Sequence, residues 1–224
     1  MKKYAVIVAG GSGSRMKSVL PKQFIELCGK PILMHTLEVF SRFDNELSLI
    51  IVLPEPQILF WKELCNKHNF TVSHEVVAGG DARFFSVKNG LDHVPDDSLV
   101  AIHDGVRPLV SSETISRCFD TAARMGNAIP CFPVYETVRK VDGDKNVMLD
   151  RSNLRLIQTP QIFRSSLIKK AFEQSFDEAF TDDASVLERT GETIYLVDGN
   201  RENIKVTDPF DLIIAEAILQ NSTN

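Results

Sequence analysis

The stretch "VAGGSGSRMKSVLPKQF", residues 8–24, decides the fold. It follows the apolar run "YAVIV" (4–8), so it reads as a glycine-rich turn leaving a buried strand. It lacks the Gly-Lys pair of a Walker A loop, and Met16 stands where a dinucleotide fingerprint needs its third glycine after Gly11 and Gly13. What remains is a turn whose backbone N–H groups can approach phosphate oxygens, with Arg15 and Lys22 to neutralise them. The competing reading is a solvated turn carrying two ordinary surface cations.

Outward from this loop, short apolar runs alternate with amphipathic segments, the pattern of βα units around a mostly parallel sheet. Strands are expected in "LSLIIVLP" (47–54), "SLVAIHDG" (98–105), "NAIPCFPV" (127–134) and "TIYLVDG" (193–199). A helix is expected where Ile32, Leu33, Leu37 and Phe40 share one face after Pro31. Others are expected after an Asp81 cap, after a Ser112 cap with Gly126 as the stop, over 164–175, over 182–191, and from Asp208 with Pro209 in its first turn. Residues 135–158 break the alternation. The turn-forming "DGDKN" flanked by "ETVRKVD" and "VMLDRSNLRLIQ" predicts a protruding hairpin. Such a ribbon is marginal alone in water, so the exposed Val138, Val141, Val147 and Leu149 predict a second copy of the chain as its partner.

Composition bounds the function. A chain of 224 residues with 43% hydrophobic content can bury one sizeable core, and one domain is expected. A net charge of -5 excludes a general nucleic-acid-binding surface. The apolar run at the start is too short for a signal-peptide core or a membrane span, and the four cysteines lack metal-ligand spacing. Buried reduced thiols in a soluble cytoplasmic protein are expected.

Two further stretches bear on chemistry. "HDGVRP" (103–108) falls where a strand ends, and open α/β sheets bind ligands beyond the carboxyl ends of their strands. Asp104 could hold Mg²⁺ beside a polyphosphate and Arg107 could face an anion; an Asp–Arg pair closing a loop is the plainer alternative. In "RENIKVTDP" (201–209), Lys205 precedes a capped helix and could reach the same cleft, or be an ordinary surface lysine.

"AGGSGSRM" with "PKQF", "GGDARFFSV", "HDGVRP", "PVYETVRKVD", "DRSNLRLIQTPQIF", "TDDAS" and "NIKVT" occur together and in this order. In this the chain resembles the 2-C-methyl-D-erythritol 4-phosphate cytidylyltransferase family over residues 4–216. The resemblance implies a Rossmann-like α/β fold of the nucleotide-diphospho-sugar transferase type, a mostly parallel twisted sheet flanked by helices, with the arm crossing to the other subunit of a homodimer. It implies transfer of CMP from CTP to the polyol phosphate with release of pyrophosphate, in non-mevalonate isoprenoid biosynthesis. Arg15, Lys22 and Lys205 would act on the α-phosphate. Ala9, Gly10, Gly11, Gly13, Gly80, Asp81 and Ser86 would bind the nucleotide. Asp104, Arg107, Thr137, Arg151, Thr159 and Lys205 would bind the acceptor, with Asp104 beside Mg²⁺. Arg83 matches a family arginine and equally fits a helix surface.

No activated nucleophile is required, because the acceptor phosphate is already anionic, so His103 is read as hydrogen-bonded in place. Three positions depart from the family pattern: Gly105 for Ala, expected to matter little, and Glu136 and Glu202 for Asp. A ribitol 5-phosphate cytidylyltransferase shares the loop, "PKQF" and much of "HDGVRP". The Arg151 match favours the methylerythritol reading. A catalytically silent nucleotide-binding module is the other class, and the presence of Arg15, Lys22, Asp104 and Lys205 counts against it.

Overall fold

The computed structural model describes residues 1–11, 16 and 20–222. The elements are β1 (Lys3–Val8), β2 (Glu26–Leu27), β3 (Lys30–Pro31), α1 (Ile32–Phe43), β4 (Ser48–Leu53), α2 (Ile58–Lys67), β5 (Glu75–Ala78), α3 (Arg83–Leu91) and β6 (Leu99–Asp104). They continue as α4 (Ser112–Met125), β7 (Asn127–Pro133), β8 (Val138–Asp142), β9 (Lys145–Leu149), β10 (Arg155–Ile157), β11 (Gln161–Arg164), α5 (Ser165–Ala171), α6 (Asp183–Glu188), β12 (Leu196–Asp198) and α7 (Pro209–Ser222).

The main sheet runs β10-β7-β11-β6-β1-β4-β5, with β12 on β7. The pairs β1–β4, β1–β6, β4–β5 and β7–β12 are parallel, and only β10 and β11 run against the rest. Helices cover both faces, which is why the central strands are near-continuous apolar runs: every residue of β6 is buried. Strand alternation divides the core. Ile7 and Ile51 pack with Leu33, Leu37, Phe40 and Trp61 on one face. Val6, Ile50 and Val52 pack with Val87, Leu91 and Phe163 on the other. No helix among the described residues is long and apolar enough to cross a membrane.

Local signals act largely as read, with shifts at the caps. Ser111, not Ser112, caps α4 by accepting from the Thr114 N–H, and Gly126 ends that helix at φ +96°. Asp81 does not cap α3; the cap position is Ala82 and has no side-chain bond. Asp208 does cap α7, accepting from the N–H groups of Phe210 and Asp211 at 2.8 and 3.1 Å. Cys118 and Cys131 are buried as expected, but Cys28 is exposed.

The hairpin is shorter than 135–158. β8 and β9 form their own two-stranded ladder from Val138↔Leu149 to Asp142↔Lys145, turning at Gly143 with φ +57°. Residues 155–157 leave it to pair with β7 in the main sheet, because Leu156 and Ile157 continue the Phe132–Cys131 register there.

Candidate active site

The sheet reverses its order of growth at β1: β4 and β5 add on one side, and β6 returns to the other. In open α/β sheets such a switch point opens a crevice past the strand ends. The register sets Val8 opposite Asp104, so the Ala9–Gly11 turn and the Asp104 loop emerge side by side. Gly105 is a packing requirement here, against the expectation that it matters little. A Cβ on it would lie 2.9 Å from Ala9 Cβ and 3.1 Å from Leu33 Cδ1, so even alanine forces a shift.

A cavity of ≈220 Å³ lies at this junction, lined among others by Ala9, Gly10, Gly11, Lys22, Gly80, Asp81 and Ser86. Ser86 folds the glycine loop back onto α3: its Oγ accepts the Gly80 N–H at 3.2 Å and donates to the Ala82 carbonyl at 3.1 Å. A Cβ at Gly80 would lie 2.5 Å from Phe85 Cβ, so the loop comes this close only as glycine. Lys22 lies across Gly11, its Nζ 3.7 Å from where a Cβ would stand. Arg15 and Gly13 lie outside the described residues.

A second cavity, of ≈300 Å³, is lined by Arg107, Gln158, Thr159, Gln161 and Asp182 among others. The two cavities share Arg83, Asp104 and Lys205 as a common wall. Asp104 is the centre of this wall. Its Oδ2 receives Arg107 Nε at 3.0 Å and faces Lys205 Nζ at 3.1 Å, while Arg83 Nε lies 4.0 Å from Oδ1. Burial alone would raise the Asp104 carboxyl; Lys205, then Arg83 and Arg107, reverse this and hold it well below the usual carboxylate range.

Arg83 is itself fixed by a fully buried carboxylate. Its Nη1 and Nη2 donate to the two oxygens of Asp183 at 2.7 and 2.6 Å. Burial would lower this guanidinium, but the Asp183 charge and hydrogen bonds more than offset that and raise it. Arg107 is held at its far end too, donating through Nη1 to the Asn203 carbonyl at 2.8 Å. Asn203, fully buried, donates in turn to the Thr159 carbonyl at 2.8 Å.

Comparison with known proteins decides the family. The model of the family described as 2-C-methyl-D-erythritol 4-phosphate cytidylyltransferase matches residues 4–221. The chain belongs to that family. A relative of that name from Bacteroides fragilis is 52% identical over 219 residues, covering 98% of this chain and 100% of its own. Among solved structures, a 4-diphosphocytidyl-2C-methyl-D-erythritol synthase from Anaerococcus prevotii superposes with a TM-score of 0.82 at 30% identity, covering 98% of this chain and 96% of its own. The cytidylyltransferase from Thermus thermophilus gives 0.81 at 28% identity, covering 98% and 100%.

For a member of the cytidylyltransferase family, the residues expected from the sequence fall into two groups. Ala9, Gly10, Gly11, Lys22, Gly80, Asp81, Ser86, Asp104 and Lys205 line the first cavity, and Asp104, Arg107, Thr159 and Lys205 the second. Thr137 and Arg151 line neither; both are exposed at the base of the arm, where Arg151 Nη1 donates to the Tyr135 carbonyl. Thr159 lines the second cavity. It is buried, and its hydroxyl oxygen already bonds the Asp104 N–H at 3.1 Å and His103 Nδ1 at 3.0 Å. Glu202 lines neither cavity, its carboxylate accepting from Asn200 at 3.2 Å.

Sequence reasoning missed Asp183, Asn203 and Gln23, and left Arg83 open. Gln23 is fully buried and donates to the Ala9 carbonyl and to Gln57 Oε1, both at 2.7 Å, so it ties the Lys22 turn to the end of β1. The signal lay in the quoted "NIKVT" and "PKQF", where Lys205 and Lys22 overshadowed Asn203 and Gln23, and in "TDDAS", which was quoted without a role for either aspartate.

Among the described residues no group of three or more His, Cys, Asp or Glu side chains is placed to hold a metal. Asp104 nevertheless suits Mg²⁺ held mainly by phosphates. Oδ2 is occupied by Arg107 and Lys205, whereas among the described residues Oδ1 has the 4.0 Å approach of Arg83, beyond a hydrogen bond. One carboxylate oxygen beside a polyphosphate is an ordinary protein share of a Mg²⁺ shell.

Proposed function

We propose that this chain transfers CMP from CTP to 2-C-methyl-D-erythritol 4-phosphate, releasing pyrophosphate, with the nucleotide in the first cavity and the acceptor phosphate in the second. The observation that carries this is the wall shared by the two cavities, where Lys205, Arg83 and Asp104 stand between them. An acceptor phosphate on one side and a triphosphate on the other would meet there.

The step is an in-line displacement at the α-phosphorus. The acceptor phosphate oxygen forms the new P–O bond as the bond to pyrophosphate breaks, and no proton need move first. Catalysis then rests on holding two anions together and stabilising charge that grows on the α-phosphate. Lys22 and Lys205, with Arg15, supply that charge, and the Gly10–Gly11 backbone receives the phosphates. Gly80, Asp81 and Ser86 frame a compact pocket for the pyrimidine, which a purine would overfill. Asp104 keeps Arg107 and Lys205 oriented through Oδ2 and offers Oδ1 to Mg²⁺. Mg²⁺ held there by Asp104 would supply positive charge against the phosphates.

The chain is read as one cytoplasmic nucleotidyltransferase domain, with the β8–β9 hairpin (138–149) as a dimerisation arm. Support for the dimer comes from the arm's apolar side chains: Val141 is 70% exposed, Met148 67% and Val147 57%. Water-facing residues of that kind on a two-stranded ribbon call for a partner. Thr137 and Arg151, remote from this chain's own cavities, would then complete the acceptor site of the other copy.

Purified protein supplied with Mg²⁺, each nucleoside triphosphate and each polyol phosphate tests the reading through pyrophosphate release. Release with CTP and methylerythritol phosphate is expected. Release with ribitol 5-phosphate alone would overturn the choice of acceptor.

A further inference from the structure

His103 is the penultimate residue of β6, one before Asp104, and is fully buried, with the Phe40 ring edge-on at 5.0 Å. A ring withdrawn from water needs both nitrogens bonded. Nε2 lies 3.0 Å from the Arg107 carbonyl, which can only accept, so Nε2 carries the proton. Nδ1 is then bare and accepts from the Thr159 hydroxyl at 3.0 Å. That hydroxyl oxygen receives the backbone N–H of Asp104 at 3.1 Å. The donors therefore run in one sense only, from the Asp104 N–H through Thr159 to the ring, and from the ring to the Arg107 carbonyl. One side chain ties together the end of β6, the loop carrying Arg107 and the segment after β10. Burial keeps the ring neutral, with its pKa lowered to about 4.

We propose that His103 is a positioning residue for the acceptor side of the site: through the Thr159 hydroxyl and the Arg107 carbonyl it sets where the Arg107 guanidinium stands in the second cavity. The proposal rests on the reading of that cavity as the acceptor-phosphate site. Arg107 lines the second cavity and not the first. A displaced Arg107 therefore weakens the acceptor before it touches CTP. With both nitrogens committed and no solvent path, His103 does not serve as a base.

Steady-state kinetics on His103→Gln and Thr159→Val test this. Glutamine can still donate to the Arg107 carbonyl but gives Thr159 a poorly placed acceptor; valine removes the hydroxyl and leaves the Asp104 N–H without one. Each is expected to raise the KM for methylerythritol phosphate about tenfold, while the KM for CTP stays within about twofold. Because both break one link, the double variant should be no worse than the poorer single one. Thr159→Ser, which keeps the hydroxyl, should recover most of the acceptor affinity lost in Thr159→Val. Equal shifts in both KM values, or a lowered melting temperature with both KM values unchanged, would show a merely structural histidine and overturn the proposal. Nitrogen-15 spectra supply a second arm. A neutral Nε2–H tautomer whose Nδ1 resonance moves in Thr159→Val supports the relay, and an Nδ1–H tautomer overturns it. Wild-type protein that transfers no CMP would refute the functional reading, leaving the spectra to judge the relay; an active wild type with unsplit KM values refutes the role of His103 alone.

Discussion

Lys205 Nζ lies 3.1 Å from Asp104 Oδ2, joining the segment before α7 to the end of β6. Asp104 is almost fully enclosed, while Lys205 remains partly open to the cavities on either side. The carboxylate thus holds the amine on one side and leaves its charge beside both cavities. Replacing Lys205 with Ala removes charge that matters most in the transition state, and kcat should fall by about 10²–10³-fold. CTP titration by calorimetry should change far less. A kcat within a factor of about two of wild type would remove Lys205 from the catalytic set.

Arg83 and Asp183 stand 100 residues apart in sequence and meet through two hydrogen bonds. Lysine cannot reproduce that fork, so Arg83→Lys should leave one oxygen of the fully buried Asp183 poorly partnered. Chemical denaturation should show a loss of about 2–4 kcal/mol, the upper figure being reduced by the partial exposure of Arg83. Activity should fall with stability, because the arginine also faces Asp104. Unchanged stability and turnover in Arg83→Lys would mean that the fork is dispensable.

Trp61, the chain's only tryptophan, donates from Nε1 to His74 Nε2 at 3.0 Å, and His74 Nδ1 is 2.7 Å from the Val72 carbonyl. The ring must be neutral for this arrangement. Burial lowers the His74 pKa from 6.5, as it does for His35 and His103. On acidification the unfolded chain therefore takes up protons before the folded one does. Stability contributed by these rings is present above pH 6.5 and is lost as pH falls below it. Urea midpoints followed by Trp61 fluorescence should decline from pH 7.5 to pH 5.5 (about two units across the ordinary histidine range), and His74→Gln should flatten the slope. A midpoint that rises on acidification would contradict this assignment.

The arm offers an independent test. Charges introduced by Val141→Glu together with Val147→Glu would be solvated in a monomer but buried against a partner. Sedimentation should shift from dimer to monomer, with the acceptor KM rising as Thr137 and Arg151 are lost to the other copy. A wild-type chain that sediments as a monomer at micromolar concentration would refute the dimer.

The parallel core was legible in sequence because buried βα units write themselves as apolar runs, and "YAVIV", "LSLIIVL" and "LVAIH" are such runs. β5 and β11 were not foreseen: each spans only four residues, and β11 gains its place by pairing on both sides rather than by its own pattern. α2 escaped for a related reason, since Trp61 and Leu64 are its only buried residues. Within the site, the end-of-strand motifs pointed to Asp104 and Arg107, and both residues line the cavities. Their supports were hidden, because a partner such as Asp183 for Arg83 depends on the chain's return across the sheet, which spacing does not encode. Gly105 was underestimated for the same reason: its constraint is Ala9, just past the end of the neighbouring strand and 96 residues earlier by numbering.

The central claim is that two anions meet at the wall formed by Lys205, Arg83 and Asp104 and exchange CMP in one displacement, with no enzyme-bound intermediate. The stereochemical course at phosphorus tests it most directly. With CTP carrying a single sulfur of defined configuration on the α-phosphate, the methylerythritol product should show inversion. Retention would require two displacements through a covalent enzyme intermediate and would contradict the account.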